Sequence, residues 1–293
     1  MKIGLFPPVG GKGMMGGADP TWTDLLAMVQ RAEEVGFDFV SVLDHVLFGH
    51  KECWTLLSAL AARTTRMELI SYVSCTGYRN PALLAKMAAT VDEISDGRLI
   101  LGLGAGDSES EHRKMGYPLD HLVSRFEEAV QVITTLLREG YIDHDGQYYQ
   151  VRDFELDSGS PRKQGPPILI GSLGGPRMQR ITASYADIWV ASYPMNNNTI
   201  EGLQLALERL QAACERVGRD PATVQRMAEI LIGYPGGQPE TWTEMTPVSG
   251  TPEEIADAIR AREALGFDYL HVWIEPNNLA GIEQFAPVLE LLR

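Results

Sequence analysis

The 293-residue sequence has few cysteines, no long apolar run and fewer basic than acidic side chains. Its three cysteines, Cys53, Cys75 and Cys214, form no CxxC or metal-finger spacing, so neither a disulfide scaffold nor a zinc module is indicated. No segment reaches the ~20 consecutive apolar residues of a membrane-spanning helix. The 39 acidic and 25 basic residues give a formal net charge of −14, which repels phosphate backbones and anionic lipids. We therefore expect no nucleic-acid or membrane partner.

The first residues, MKIGLFPP, contain a short apolar stretch that ends at Pro7. This stretch is shorter than the apolar core of a secretory leader. Together with unpaired cysteines, it predicts a cytoplasmic protein whose thiols are reduced.

Short apolar runs alternate with longer amphipathic segments along the whole chain, which is typical of repeated βα units. We predict strands at residues 3–6, 39–43, 67–73, 98–103, 168–170, 188–191, 227–232 and 269–274, each followed by a helix. Eight such units predict one (β/α)₈ TIM barrel over residues 1–293 rather than a doubly wound sheet. Two segments depart from the repeat: a hairpin around Asp145-Gly146 after the fourth helix, and a polar loop at 233–250 after the seventh strand.

Reacting groups of such barrels come from loops that follow the carboxyl ends of the strands. The candidates selected by this rule are Asp44, His45, Ser74, Cys75, Thr76, Gly104, Gly106, Asp107, Glu109, Glu111, Gly171, Ser172, Gly174, Gly175, Arg177, Ser192 and Glu275.

The loop after the fifth strand, GSLGG from Gly171 to Gly175, leads directly into a helix. Bare backbone N–H groups at a helix start favour a phosphate, and Ser172 and Arg177 can add donors. The alternative is a glycine-rich turn needed only for packing. The fourth-strand sequence GLGAG is not the dinucleotide GxGxxG, and Gly104 and Gly106 are better explained by the close approach of a flat ring.

Asp44-His45 after the second strand allows three interpretations: a metal pair, an acid–base pair beside a redox ring, or a structural pair. No other histidine has a recognised metal-ligand spacing with it. We favour the acid–base pair, because histidine titrates near neutrality and a carboxylate can hold its tautomer. Cys75 is interpreted as a buried apolar residue and His271 as a core histidine, whereas Trp54 can wall a ring.

With these residues placed, the sequence resembles the bacterial-luciferase-like superfamily of flavin- and deazaflavin-dependent oxidoreductases. The resemblance extends over nearly the whole chain, through EEVGFDFVSVLDH, RNPALLAKMAATVDEISDGRLILGLGAG, RFEEAVQVITTLLREG, PPILIGSLGGPRMQRITASYADIWV and TPEEIADAIRAREALGFDYLHVW. It implies a (β/α)₈ fold, often a homodimer, with a small-molecule substrate. The reduced flavin or F420 would lie at the barrel mouth, with its phosphate near Gly171–Gly175. A backbone bulge around Ser74-Cys75, often with a cis non-proline peptide, would support the ring from behind.

The resemblance also bears on the cofactor. Asp44-His45 is similar to the pair of deazaflavin members, where many FMN members have Glu-His, so hydride transfer with F420 is the preferred expectation. The alternatives are an FMN-dependent monooxygenase and a non-catalytic flavin-binding member. Asp107-Ser108 stands where many relatives have Trp-His or a Glu. The resemblance makes Asp44, His45 and Asp107 the catalytic candidates, with Ser74, Cys75, Thr76, Gly104, Gly106 and Ser192 near the ring.

Overall fold

The computed structural model describes residues 1–9, 20–47, 49, 51–171, 175–192, 196–236 and 246–293. Its strands, in chain order, are β1 (Lys2–Leu5), β2 (Phe39–Val42), β3 (Glu68–Ser71), β4 (Ser74–Cys75), β5 (Leu99–Gly104), β6 (Tyr141–Asp145), β7 (Gln150–Glu155), β8 (Ile168–Gly171), β9 (Ile188–Ala191), β10 (Gln225–Gly233) and β11 (Tyr269–Glu275). All but β6 and β7 belong to one parallel sheet.

This sheet closes on itself. The hydrogen-bonded order is β3-β2-β1-β11-β10-β9-β8-β5, and β3 pairs again with β5, with Leu69 opposite Leu99. The first strand pairs with the last, Lys2 opposite Tyr269, so both ends of the chain contribute to the same barrel. The predicted (β/α)₈ barrel is thereby confirmed.

The third barrel strand is split in two. After β3, the short β4 pairs only with β5, Ser74 opposite Leu103. Between the two pieces lies a cis peptide bond that joins Tyr72 to Val73. The irregular segment that the resemblance implied around Ser74-Cys75 therefore begins two residues earlier in the chain.

The helices of the described residues are α1 (Trp22–Val35), α2 (Cys53–Ala61), α3 (Pro81–Ile94), α4 (Glu109–Met115), α5 (Leu122–Glu139), α6 (Pro176–Tyr185), α7 (Ile200–Val217), α8 (Pro252–Ala264) and α9 (Leu279–Leu292). Sequence signals account for several of their ends. Gly36 ends α1 in the left-handed conformation, and Thr251 caps α8 in a capping box with Glu254. The short α4 was not predicted as a helix.

Two apolar layers form the core. Side chains that alternate outward along the strands pack against the helices, and inward-facing ones form a second cluster inside the barrel. The bottom of the interior is apolar, with Phe39 and Tyr269 in edge-to-face contact at 5.8 Å between ring centroids. Near the mouth, Phe6 stacks on Trp273 at 4.0 Å. Between these levels lie polar side chains.

The two predicted departures from the repeat lie outside the barrel wall. The hairpin of β6 and β7 follows α5, which is the fourth of the predicted helices because α4 was not predicted. Glu128 of α5 accepts hydrogen bonds from the backbone N–H groups of Tyr148 and Tyr149. Of the long loop after the seventh barrel strand, residues 237–245 lie outside the described part, and Val248 returns to bridge Ile232 of β10. Among the described residues, no helix combines the length and apolar character needed to cross a bilayer.

Candidate active site

A buried carboxylate orients His45 at the barrel mouth. Glu111 Oε2 lies 2.9 Å from His45 Nδ1 and 2.6 Å from the Tyr78 hydroxyl, which donates to it. The N–H of Leu47 donates to the other oxygen, Oε1, at 2.8 Å. Burial raises the pKa of Glu111, but the hydrogen bonds from Tyr78, Leu47 and His45 outweigh burial and hold it below its usual value. An ionised Glu111 fixes the proton of His45 on Nδ1, which makes Nε2 the basic nitrogen.

Glu111 reaches His45 because α4 follows the fourth barrel strand. Ser108 caps this helix by accepting a hydrogen bond from the Glu111 N–H, and Gly116 ends it in the left-handed conformation. Sequence reasoning included Glu111 among the mouth residues but gave it no role. The spacing Ser108-Glu109-Ser110-Glu111 is an S-x-x-E helix start, a signal that could have predicted the helix but not the contact of Glu111 with His45.

Asp44 binds Arg79 in a bidentate pair, at 2.5 and 2.9 Å, and Arg79 also reaches Glu52 at 2.8 Å. Burial raises the pKa of Asp44, and the guanidinium opposes this rise. The expectation that the adjacent Asp44 holds the His45 tautomer is therefore corrected. Asp44 is engaged by Arg79, and the carboxylate that holds His45 is Glu111 of α4.

The end of the third strand is tied into the protein by its own hydrogen bonds. Ser74 accepts from the Trp54 indole N–H at 3.1 Å, and Thr76 donates to the Gly104 carbonyl at 3.3 Å. The Ser74 hydroxyl is thus bonded toward α2, and Trp54 lies behind the strand end rather than walling the mouth.

Cys75 contacts a buried histidine. His112 Nδ1 donates to the Pro118 carbonyl at 2.7 Å, so in the neutral ring Nε2 accepts, and the Cys75 thiol lies 3.8 Å from it. Burial raises the pKa of Cys75 to about 12, which agrees with its interpretation as a non-nucleophilic thiol. A Cβ at Gly106 would lie 2.5 Å from the Cys75 sulfur and 2.9 Å from His112 Nε2. Gly106 therefore makes room for this pair.

Val73 is the side chain that the irregular third strand turns into the barrel. A Cβ at Gly104 would come within 2.7 Å of Val73 Cγ2, whereas one at Gly102 would first meet the Ser71 carbonyl oxygen at 1.9 Å, with Val73 Cγ1 at 3.1 Å. Val73 thus fills the space above two glycines of β5 and packs against the interior cluster. Val73 is partly exposed, whereas Ser74 and Cys75 are buried.

The predicted phosphate loop lies partly outside the described residues, because Ser172 and Gly174 fall there. Gly171 ends β8, and Gly175 precedes α6 without a side-chain cap for the first-turn N–H groups. A Cβ built at Gly175 meets no described atom within 4 Å. Arg177 donates to Glu127 and Ser124 and is half exposed, so it would have to leave Glu127 to bind a phosphate.

Buried polar atoms without a hydrogen-bond partner follow the last strands. Among the described residues they include Ser192 Oγ, Tyr234 Oη and Asn277 Oδ1. Asn277 is fixed by its Nδ2, which donates to the Phe6 carbonyl at 3.0 Å. Burial raises the pKa of Tyr234 to about 12. Such orphaned groups are costly unless a ligand satisfies them, so this side of the mouth fits a polar ligand. Asp107, in contrast, is exposed to solvent.

The sequence profile of the luciferase-like monooxygenases matches residues 1–233. The chain is 33% identical over 239 residues to the pyrimidine monooxygenase RutA of Rhizobium rhizogenes, covering 75% of this chain and 64% of that protein. It is likewise 33% identical over 238 residues to RutA of Stutzerimonas stutzeri, covering 75% and 65%. The match thus spans slightly less than two thirds of these relatives' own length. The chain belongs to the luciferase-like monooxygenase family, an enzyme family, as its motifs indicated.

Solved structures support the same fold. An F420-dependent secondary alcohol dehydrogenase, solved with an F420-acetone adduct, superposes with a TM-score of 0.79 at 20% identity, covering 100% of this chain and 99% of that one. The long-chain alkane monooxygenase LadA superposes with a TM-score of 0.81 at 16% identity, covering 99% and 91%. At these identities the similarity establishes the barrel fold.

Proposed function

We propose that the protein is a monooxygenase that uses reduced FMN and O₂ to oxygenate a small polar molecule. The observation that carries the proposal is the His45–Glu111–Tyr78 arrangement at the mouth. A histidine whose proton position is fixed by a buried carboxylate is suited to proton transfer near neutral pH. When bound, the reduced flavin supplies two electrons, so that one oxygen atom of O₂ enters the substrate and the other leaves as water.

The remaining residues bind and orient. Val73 offers an apolar floor, and Gly104 leaves the space in which its side chain lies. The N-terminus of α6 behind Gly175 would receive the phosphate through backbone N–H groups. His45 Nε2 would exchange a proton with the bound molecules, while Glu111 stabilises the charge that His45 then carries. The role of Asp107 as a second acid stays a prediction, and its side chain is exposed to solvent.

FMN is favoured over F420 on two grounds. The relatives at 33% identity are named pyrimidine monooxygenases. In addition, the Asp44 carboxylate is engaged by Arg79, which weakens the argument from Asp44-His45 that favoured the deazaflavin. F420-dependent hydride transfer is the second candidate, because the Asp44-His45 pair itself is present.

The substrate we propose is a small heterocycle with hydrogen-bond donors and acceptors. Ser192 Oγ and Asn277 Oδ1 are buried without a partner among the described residues, and a ring with N–H and C=O groups would satisfy both. The pyrimidine specificity in the relatives' name belongs to the same chemical class.

The test is titration of the purified protein with FMN, reduced FMN and F420, followed by measurement of substrate-dependent O₂ uptake. We expect reduced FMN to bind more tightly than F420 and a heterocyclic amide to stimulate O₂ uptake. Tight F420 binding with alcohol- or enone-dependent turnover and no O₂ uptake would favour the second candidate instead.

Gly175→Val sharpens the phosphate assignment. Gly175 has φ −66° and ψ −173°, a conformation open to any residue, and its Cβ would meet no described atom within 4 Å. The variant should therefore unfold at the same temperature as the parent but lose FMN affinity at least about tenfold, because the valine takes the place of the phosphate. Unchanged FMN affinity would contradict this assignment.

A homodimer, which the resemblance implied, and a cytoplasmic location, which the short N-terminal apolar stretch and the unpaired cysteines predicted, belong to the same proposal. Size-exclusion chromatography with light scattering tests the first: we expect twice the mass of the 32.3 kDa chain.

A further inference from the structure

The middle level of the barrel interior is polar. Ser41, Glu229 and His271 project into it from three barrel strands and Tyr72 from the break in the third strand, and none is more than 9% exposed. Interiors of (β/α)₈ barrels are usually filled by bulky branched apolar side chains. Burying a carboxylate costs free energy unless its oxygens accept hydrogen bonds. A polar level therefore calls for an explanation other than the stability of the barrel.

The four side chains form one network. The Tyr72 hydroxyl donates to Glu229 Oε1 at 2.5 Å. The His271 ring lies 4.4 Å from the Tyr72 ring, and its Nδ1 is 3.9 Å from the same Glu229 oxygen. Ser41 Oγ and His271 Nε2 are 2.7 Å apart. Burial lowers the pKa of His271, although Glu229 opposes this. The network thus links the second, third, seventh and eighth barrel strands.

Tyr72 is the member of this network that is followed directly by Val73. The next residue, Val73, occupies the space above Gly102 and Gly104, and a Cβ at Gly171 would lie 4.0 Å from Val73 Cγ1. Because Tyr72 and Val73 are consecutive, a hydrogen bond that fixes the Tyr72 phenol also limits where the Val73 methyl groups lie.

We propose that Glu229 is a positioning residue: its hydrogen bond with Tyr72 holds Val73 in place as the floor against which the flavin ring packs. This inference rests on the proposed function for its ligand. Glu229 lies one level below the mouth and acts only through Tyr72. Through Tyr72, Glu229 determines how far the Val73 methyl groups extend toward the barrel mouth.

The test compares Glu229→Leu and Tyr72→Phe, which remove the hydrogen bond, with Glu229→Gln, which keeps an acceptor oxygen. Tyr269→Phe is the matched control: it removes a phenol hydroxyl at the bottom level, where that hydroxyl contacts Lys2 at 3.4 Å. The first readout is the position of the Val73 methyl NMR signals in valine-labelled protein without cofactor. The second is the dissociation constant for FMN, with thermal unfolding as the check on folding.

We expect the Val73 signals to move in Glu229→Leu and Tyr72→Phe, and FMN binding to weaken about five- to tenfold. In Glu229→Gln and Tyr269→Phe, the Val73 signals should stay at their positions in the parent protein. The dissociation constant for FMN should stay within twofold of the parent value. The double variant should bind FMN no more weakly than the weaker single variant, because both substitutions remove the same contact. If Glu229→Leu does not fold, Tyr72→Phe and Glu229→Gln still decide the matter.

Unmoved Val73 signals in Tyr72→Phe overturn the inference whatever the cofactor is. It is also overturned if Glu229→Gln weakens FMN as much as Tyr72→Phe does, or if Tyr269→Phe moves Val73 equally. If the Val73 signals respond as expected but the parent binds neither FMN nor F420, the proposed function fails, while the link from Glu229 through Tyr72 to Val73 stands.

Discussion

The two sides of the barrel mouth differ in how their polar groups are satisfied. On the side of the second to fourth strands, Glu111 accepts hydrogen bonds from Tyr78 and from the Leu47 N–H, and contacts His45. On the side of the sixth to eighth strands, Ser192 Oγ and Asn277 Oδ1 are buried without a partner among the described residues. The first side is pre-organised by the protein itself. The second side leaves polar atoms that a bound ligand would satisfy, and this is the side where we propose that the substrate binds.

His45→Ala should give the largest effect. It removes the proposed proton-transfer group of the pre-organised side but none of the atoms that we propose face the ligand. We expect kcat to fall about 10²- to 10⁴-fold while the dissociation constant for FMN stays within threefold. Single-turnover kinetics with reduced FMN measure the first quantity, and an unchanged rate would remove His45 from the mechanism.

Glu111→Gln should give the next largest effect on rate, about tenfold to 100-fold, because the amide no longer stabilises a charged His45. It should also change the dependence of stability on pH. The folded state lowers the pKa of Glu111 below its ordinary 4.5, so its contribution to the free energy of unfolding is complete above that pH and is lost as pH falls through the folded-state pKa. Urea unfolding between pH 3 and 7 should show a shallower acid limb in the variant. Parallel curves would contradict the assignment.

Ser74→Ala and Ser192→Ala are a matched pair that tests the comparison directly. Ser74 accepts a hydrogen bond from the buried Trp54 indole, so its loss should cost about 1–2 kcal/mol of unfolding free energy in the protein without ligand. Ser192 Oγ has no partner among the described residues, so its loss should cost less than about 0.5 kcal/mol. Ligand affinity should fall only in Ser192→Ala. The reverse order of stabilities would refute the contrast between the two sides.

Asp107→Asn should give the smallest effect. The side chain is exposed, and we expect kcat to remain within about twofold, since solvent screens a charge at such a position. A loss as large as that of Glu111→Gln would restore Asp107 as the second acid and show that the loop moves inward during turnover.

The fold followed from local patterns. Alternating apolar runs predicted all eight barrel strands, and cap residues such as Gly36 and Thr251 marked helix ends that the structure confirms. The missed α4 has only seven residues, too few for a visible apolar period. Its S-x-x-E start was the one local sign of it.

For the candidate site, the sequence predicted which loops at the strand ends contribute residues but not which side chains contact each other. Sequence order suggested that Asp44 serves His45, but Asp44 binds Arg79, and the carboxylate of His45 comes from 66 residues further along the chain. The bulge was placed at Ser74-Cys75, whereas Val73 is the residue that enters the barrel. Glu229, inside a strand, gave no sign in the sequence that it meets Tyr72 across the interior.

The sequence by itself determined the barrel, because burial of apolar side chains has a period that is written into neighbouring residues, and it indicated the end at which we propose that the reaction takes place. Only the tertiary structure decided which side chains pair at that end and beneath it. Hydrogen bonds and ion pairs act over a few ångströms, and the strands and helices that bring Glu111 to His45, Arg79 to Asp44 and Glu229 to Tyr72 are distant along the chain and become neighbours only when the sheet closes.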